Sequence, residues 1–230
     1  MRLVAFFALA FVLASVLGHL PLIGPLFRGT GILGLFLAAG LASALLTSVG
    51  ARLVAARRLR SELAALGAVD SPRNRGKMGS LYLMRGRPRA AVAPLEEAAR
   101  GEPEVAEWHY RLGLARLAIG ALEPALAAFE HCVTLEEEHA YGAAMLRRAE
   151  CLARLGRMEE ALAVLATFER NHGPSPESAY RRGRAARALG RKAEARAAFA
   201  EAVELARRAT RYQRRAASGW ALRASVARWL

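Results

Sequence analysis

Several residue types are scarce in this sequence of 230 residues, which among others has only two cysteines, two lysines and one aspartate, Asp70. Two cysteines cannot form a disulfide framework, and no CxxC or Cys/His zinc spacing surrounds Cys132 or Cys151. A disulfide-rich secreted scaffold and a zinc module are therefore not favoured, and we expect two buried free thiols. The formal net charge of +14 comes mostly from arginine, which a GC-biased genome supplies without selection for nucleic acid. The basic residues are also interleaved with Glu, and the aromatic residues are not clustered for base stacking, so we do not expect nucleic-acid binding.

The motifs of common enzyme classes are also missing. The sequence has no Walker loop, no HExxH, no GxSxG and no Ser/His/Asp constellation. The nearest approach to a metal site is the group His131, Cys132, Glu136, Glu137, Glu138 and His139. We predict that the protein is not an enzyme and that it has no metal site and no cofactor.

Charge is absent from two long apolar stretches near the N-terminus. They run from Leu3 to Phe27 and from Gly29 to Ala51, and each exceeds the about 20 residues that a membrane-spanning helix needs. Pro21 and Pro25 interrupt the end of the first stretch. We therefore predict a transmembrane helical hairpin over residues 1–60, with helices at about 3–18 and 31–49, followed by a linker at 61–71.

Small residues recur at four-residue spacing on both predicted membrane helices. Such faces allow helix backbones to approach closely in lipid. The residues are Ala10, Ala14 and Gly18 on the first helix and Gly40, Ala44 and Ser48 on the second. We expect these two faces to be helix-packing surfaces.

The flanking charges predict the orientation of the hairpin. Arg2 precedes the first helix, and four arginines follow the second, which we expect to continue as a basic helix to Leu66: Arg52, Arg57, Arg58 and Arg60. The positive-inside rule then places both termini in the cytoplasm. The alternative, a signal peptide cleaved near Gly18, also leaves the C-terminal part in the cytoplasm. Because the Arg and Ala bias suits a GC-rich genome, we predict an integral protein of a bacterial inner membrane.

Beyond Pro72 the sequence contains an internal repeat. Apolar residues keep helical spacing to the C-terminus, and a glycine recurs after 34, 36 and 34 residues, each time followed five residues later by an alanine. The pairs are Gly86 and Ala91, Gly120 and Ala125, Gly156 and Ala161, and Gly190 and Ala195. This register predicts four helix pairs, which gain stability by stacking on one another.

In this register the sequence resembles the tetratricopeptide repeat (TPR) family, whose 34-residue unit has Gly at position eight, Ala at position twenty and Phe near position twenty-four. Position eight holds Gly79, Gly113 and Gly183, and position twenty-four holds Phe129 and Phe199. The third repeat departs from the pattern, with Ala149 and Leu165 at these positions and two extra residues, Ala140 and Tyr141, before it. We expect the extra residues to lengthen a loop without breaking the stack.

We therefore expect an all-α fold: the membrane hairpin predicted above, then the TPR-like α-solenoid of four helix pairs that the resemblance implies, and a C-terminal capping helix. The repeats span 72–105, 106–139, 142–175 and 176–209, and the basic capping helix spans 210–230. This last helix has Leu222, Val226 and Trp229 along one side and no acidic residue. It is either a solubilising cap or an amphipathic helix that contacts anionic lipid. The resemblance also places Cys132 at a core position, away from the nearby histidines.

In the TPR family the first helix of each pair lines a concave face, and its position six is a cation in every repeat here: Lys77, Arg111, Arg147 and Arg181. We call these four residues the cation ladder. Arg154, Arg184 and Arg187 lie near its C-terminal end, and Tyr110 and Tyr180 occupy position five. Such a groove suits an acidic peptide or a C-terminal carboxylate. Position nine lacks the Asn of the family's chaperone-binding carboxylate clamp, which argues against chaperone tails.

The apolar stretches and the repeats together lead to two hypotheses for the function. The first is a membrane-anchored scaffold or adaptor whose basic cytoplasmic groove binds an acidic or C-terminal peptide of a protein partner. The second is an accessory subunit of a membrane enzyme or assembly complex, which docks through its transmembrane hairpin. Charge reversal in the groove would abolish partner binding in the first case, and bulky residues at Gly40 and Ala44 would do so in the second.

Overall fold

A computed structural model of the chain describes residues 31–229 and, before them, Val12, Val16 and His19; from residue 40 it also describes the side chains. The predicted first membrane helix, with Ala10, Ala14 and Gly18, therefore lies almost entirely outside the described residues. Residues 31–229 contain α-helices and turns but no strand. Contacts divide the chain into two compact units, 1–65 and 66–230.

The described helix of the first unit, α1, runs from Gly31 to Gly67. It extends beyond residue 60, where we expected a basic helix to Leu66 and also began the linker, because neither Pro nor Gly interrupts the chain between Gly50 and Gly67. Among residues whose side chains are described, no helix is long and apolar enough to cross a membrane.

The small-residue face predicted for the second membrane helix is open in the described part of α1. Ala44 and Ser48 are exposed, and a Cβ added at Gly40 would meet no atom within 4 Å. The buried residues of the described part of α1 are Ser43 and Leu59, which are 3% and 5% exposed. No described backbone therefore packs against the Gly40, Ala44 and Ser48 face.

The second unit is a solenoid of helix pairs with one helix after them. The helices are α2 (Pro72–Met84), α3 (Pro88–Gly101), α4 (Ala106–Ala118), α5 (Leu122–Leu135), α6 (Ala143–Arg154), α7 (Met158–His172), α8 (Pro176–Ala188), α9 (Lys192–Arg208) and α10 (Arg214–Trp229). Each helix packs on the next, and the first helices of successive pairs also contact one another.

Helix ends are set by proline, serine and glycine. Pro72 and Pro176 begin α2 and α8, and the hydroxyls of the preceding Ser71 and Ser175 accept hydrogen bonds from the backbone in the first turn. The turn inside each pair contains a glycine with φ between +66° and +83°, a left-handed conformation that costs other residues more. These are Gly86, Gly120, Gly156 and Gly190, the glycines of the repeat register.

Glycine at position eight allows the two helices of a pair to cross closely. A Cβ at Gly113 or Gly183 would lie 2.6 Å from the ring of Phe129 or Phe199. In the third pair, Ala149 and Leu165 replace this combination and are both buried, at 2% and 1% exposure. In the third pair, the extra Cβ of Ala149 on α6 is thus combined with Leu165 on α7, which is smaller than the phenylalanine at this position in the second and fourth pairs.

The two extra residues before the third pair form a left-handed turn. Ala140, Tyr141 and Gly142 have φ of 50°, 57° and 73°. Gly142 lies against His172, so that a Cβ there would be 2.4 Å from its Nε2. Because α5 still packs on α6, the solenoid continues across the insertion.

The C-terminal helix α10 packs on α9 and α8 through alanines. Ala217, Ala224 and Ala227 are buried on that side. The side with Leu222, Val226 and Trp229 faces solvent instead. Helix α10 therefore closes the solenoid with small residues and leaves its larger apolar residues outside.

Candidate functional site

The cation ladder lies on the first helices α2, α4, α6 and α8, but three of its four cations are paired within the chain. Arg111 forms an ion pair with Glu107 on the same helix. Arg147 and Arg181 each bind both Glu150 and Glu177, with N to O distances of 2.7 to 2.9 Å. Lys77 is exposed and has no ion pair among the described residues.

The four charges Arg147, Glu150, Glu177 and Arg181 form a neutral network between α6 and α8. Burial disfavours the charged form of Glu150, yet the attraction of Arg181 and Arg147 outweighs burial and holds its pKa below the ordinary value. Burial likewise disfavours charge on Arg147, and Glu177 and Glu150 more than compensate, so the pKa of Arg147 is raised. The network links the third and fourth repeats, and its four charges sum to zero, so they offer little net charge to a ligand.

A cleft of about 440 Å³ opens beside this network, between α6, α7, α8 and α10. Its apolar lining includes Met158 and Leu165 of α7 together with alanines of α6 and α8. Three arginines line it without a carboxylate in ion-pair distance among the described residues: Arg154, Arg184 and Arg223. The cleft therefore combines an apolar surface with an excess of cations.

Trp220 of α10 is the central aromatic residue of the cleft. Its ring centroid lies 5.5 Å from that of Tyr180. The guanidinium carbons of Arg181 and Arg223 lie 5.4 and 4.6 Å from its ring, within cation–π range. The ring is half-buried, so one part is held by these neighbours and the rest borders the cleft.

The structure brings Arg147, Arg154, Tyr180, Arg181 and Arg184 together at the cleft, as lining residues. The sequence analysis missed Trp220 and Arg223, because it treated residues 210–230 as a cap with no share in the groove. The position of α10 in the sequence was a usable signal. A helix that follows the last helix pair occupies the place that the first helix of another pair would take, and α10 packs on α8 in this way.

Two other predicted residues lie elsewhere. Tyr110 packs between the rings of Phe129 and His139, at centroid distances of 6.0 and 5.2 Å, and burial raises its pKa. Arg187 donates a hydrogen bond to the carbonyl oxygen of Ala227 at 3.1 Å, which joins α8 to α10. Neither residue lines the cleft.

The residues considered for a metal site point in different directions. His131 contacts His109, with ring centroids 4.2 Å apart, whereas His139 lies between the carboxylates of Glu136 and Glu107. Cys132 and Cys151 are buried free thiols, and burial raises their pKa values to about 12 and about 11. No three potential metal ligands converge within the described part of the chain.

Sequence profiles of the tetratricopeptide repeat match residues 77–132, 134–176 and 176–208, which together cover more than half of the chain. The chain belongs to the TPR family. No curated protein matches this sequence.

Solved TPR structures share its fold. MamA 41-end from Desulfovibrio magneticus RS-1 is 21% identical with a TM-score of 0.56, over 68% of this chain and 94% of that one. YrrB, described as a TPR protein with an unusual peptide-binding site, is 21% identical with a TM-score of 0.59, over 66% and 80%. A thermophilic TPR protein of Thermus thermophilus is 21% identical with a TM-score of 0.52, over 76% and 96%. At this identity the likeness shows the fold alone.

Proposed function

We propose that this protein is an interaction scaffold whose TPR solenoid binds a peptide segment of a protein partner in the cleft beside Trp220. The observation that carries the proposal is the cleft itself, which combines a half-buried tryptophan with Arg154, Arg184 and Arg223. A Trp and Arg centre is typical of binding hot spots. The solved structure of YrrB, a TPR protein with a peptide-binding site, supports the same use of the fold.

The chemistry of the cleft favours a partner segment that carries carboxylates. Because Arg147 and Arg181 are neutralised by Glu150 and Glu177, the binding charge comes from the other three arginines. Guanidinium groups bind carboxylates through paired hydrogen bonds. An acidic peptide or a chain terminus with an apolar residue next to it would fill both the charged and the apolar parts of the cleft.

We further propose that the first unit anchors the protein in a bacterial inner membrane, with the solenoid in the cytoplasm. The stretch from Gly29 to Ala51 has no charged residue, and arginines begin at Arg52. Large apolar side chains of α1 are exposed in the described part: Leu41, Leu45, Leu46, Val49, Leu53 and Val54. Extraction of native membranes with carbonate at pH 11 tests this, since an anchored protein stays in the pellet.

The second candidate, an accessory subunit that docks through its membrane helices, is favoured by one observation. Ala44 and Ser48 are exposed and a Cβ added at Gly40 would meet no atom within 4 Å, so small residues of this kind would let a partner helix approach closely. Replacing Gly40 and Ala44 with leucine would then remove the partner, while charge reversal in the cleft would not.

Affinity purification after crosslinking in native membranes tests the cleft. The variant Arg154→Glu/Arg184→Glu/Arg223→Glu reverses the unpaired cations and leaves the Arg147 and Arg181 network intact. The matched control is Arg196→Glu, an exposed arginine of α9 outside the cleft. We expect the triple variant to lose at least about 90% of the bound partner, an effect of the size seen at hot spots. Equal recovery with the wild-type protein and the triple variant would refute the cleft as the site.

A further inference from the structure

The outward side of α10 is an apolar surface without a partner among the described residues. Leu222, Val226 and Trp229 are spaced by four and three positions, so they lie on one side of the helix. They are 68%, 54% and 89% exposed, whereas the alanines on the opposite side are buried. We call this surface the outer face of α10.

The outer face lies within a purely basic segment. Residues 205–230 contain seven arginines and no acidic residue. Arg215 lies two helical turns before Leu222 and thus on the same side, Arg214 lies at one edge of that side, and Arg228 lies next to Trp229 near the C-terminal end of the helix. All three are exposed and have no ion pair within the described part of the chain. The apolar residues are therefore accompanied by cations without carboxylates to neutralise them.

We propose that the outer face of α10 binds an anionic lipid surface. A helix with a narrow apolar side and arginines beside it lies in the plane of a membrane interface, where Trp and Leu enter the acyl boundary and the cations approach lipid phosphates. Anionic headgroups attract each exposed arginine, and no acidic residue of this segment opposes that attraction.

A second copy of the chain fits this face less well. Two copies joined through it would bring the arginines of one helix towards the arginines of the other, with no acidic residue from residue 205 onward to separate them. Like charges at a contact disfavour association. An anionic membrane supplies the missing negative charge and the apolar layer at once.

Lipid binding by the outer face is separate from the cleft. Trp220, which belongs to the cleft, lies on the opposite side of α10 from Leu222, whereas Arg223 borders both surfaces. Peptide and lipid thus occupy different surfaces of the same helix. The proposal goes beyond the peptide-binding function, and an experiment that contradicts one of the two proposals leaves the other unaffected.

A fluorescent label on the outer face tests the proposal in the full chain. The variant Val226→Cys is labelled with the thiol-reactive dye NBD at pH 7, where Cys132 and Cys151 react little because both are buried and their pKa values are raised to about 12 and about 11. Ala166→Cys, at an exposed position of α7, is the matched control. The proteins are incorporated into vesicles of phosphatidylcholine alone or with phosphatidylglycerol, each with and without doxyl-labelled lipid as quencher.

We expect the label at position 226 to shift to the blue and to be quenched in vesicles with phosphatidylglycerol, with little change in phosphatidylcholine alone. The label at position 166 should remain solvent-exposed in both. Replacing Arg214, Arg215 and Arg228 with glutamate should abolish the shift, and replacing them with lysine should preserve it. The proposal is wrong if the label stays exposed with anionic lipid, if neutral lipid gives the same shift, or if the label is already shielded before lipid is added and becomes exposed on dilution, which would identify a second copy.

Discussion

The two halves of the row of first helices share a repeat register but differ in the unpaired charges that they leave for a ligand. In the half formed by α2 and α4, Lys77 is exposed without an ion pair in the described part of the chain, while the polar groups beside α4 satisfy one another. Glu107 pairs with Arg111 and also with Nε2 of His139, at 2.9 Å in the second case. Tyr110 packs against that histidine. Little free binding capacity remains beside α4.

The half formed by α6, α8 and α10 has a similar internal network but more cations than the network uses. Glu150 and Glu177 neutralise Arg147 and Arg181. The cleft then adds Arg154, Arg184 and Arg223, together with Trp220. The comparison teaches that a row of cations in the sequence is not itself a binding site. The cations that are left over after internal pairing and that border an apolar cleft decide where a ligand fits.

The largest expected effect is a loss of stability when a position-eight glycine in the interior is replaced, and it should be similar in the two halves. Replacing Gly183 with Ala forces a Cβ to 2.6 Å from Phe199, and Gly113→Ala does the same at Phe129. We expect each substitution to lower the free energy of unfolding by about 1–3 kcal/mol, measured by urea titration. Gly219→Ala, in α10, is the control, because a Cβ there meets no atom within 4 Å. A cost confined to one half would show that the halves are not built alike.

The third repeat suggests a second substitution that would reduce this loss of stability. Ala149 is accommodated there opposite Leu165, and both are buried. Gly183→Ala combined with Phe199→Leu should therefore lose less stability than the sum of the two single changes, since neighbouring substitutions couple. Strict additivity in the same urea titrations would contradict this account of the third repeat.

The repeat architecture could be predicted from the sequence because its signals are local and periodic. Gly86 and its three equivalents recur at fixed spacing and occupy the turns with positive φ. The ion pairs that neutralise the ladder cations could not be predicted in the same way. The partners of Arg147 include Glu177, 30 residues away in the next repeat, and this pairing depends on the rotation of α8 against α6.

Trp220 was missed for a related reason. Its place in the cleft depends on how α10 docks on α8 and α9, and the alanines that set this docking have no distinctive pattern in an Ala-rich sequence. Leu222, Val226 and Trp229 were visible as one side of the helix. Only the structure shows that this side faces outward.

A third prediction tests whether the aromatic residue of the cleft distinguishes the two halves. Trp220→Ala should weaken partner binding by about 10-fold or more, measured by titration of the purified partner segment once crosslinking has identified it. Trp220→Phe should retain more of the affinity, because a ring remains beside Tyr180. Trp229→Ala is the matched control, since Trp229 is 89% exposed and does not line the cleft. Equal losses for Trp220→Ala and Trp229→Ala would mean that the cleft is not the binding site.

The smallest expected effect concerns the neutral network itself. Because ion pairs with Arg181 and Arg147 overcome burial and depress the pKa of Glu150 in the folded state, they stabilise the fold above the ordinary pKa of the carboxyl group, 4.5. This contribution, about 1 kcal/mol for a partly exposed pair, is lost as the pH falls through the lowered folded pKa. Wild-type protein should therefore be more stable than Glu150→Gln at pH 7, and the difference should shrink towards pH 3 in urea titrations. Parallel stability curves would show that Glu150 does not hold the ladder cations, and Arg147 and Arg181 would then be available to a ligand after all.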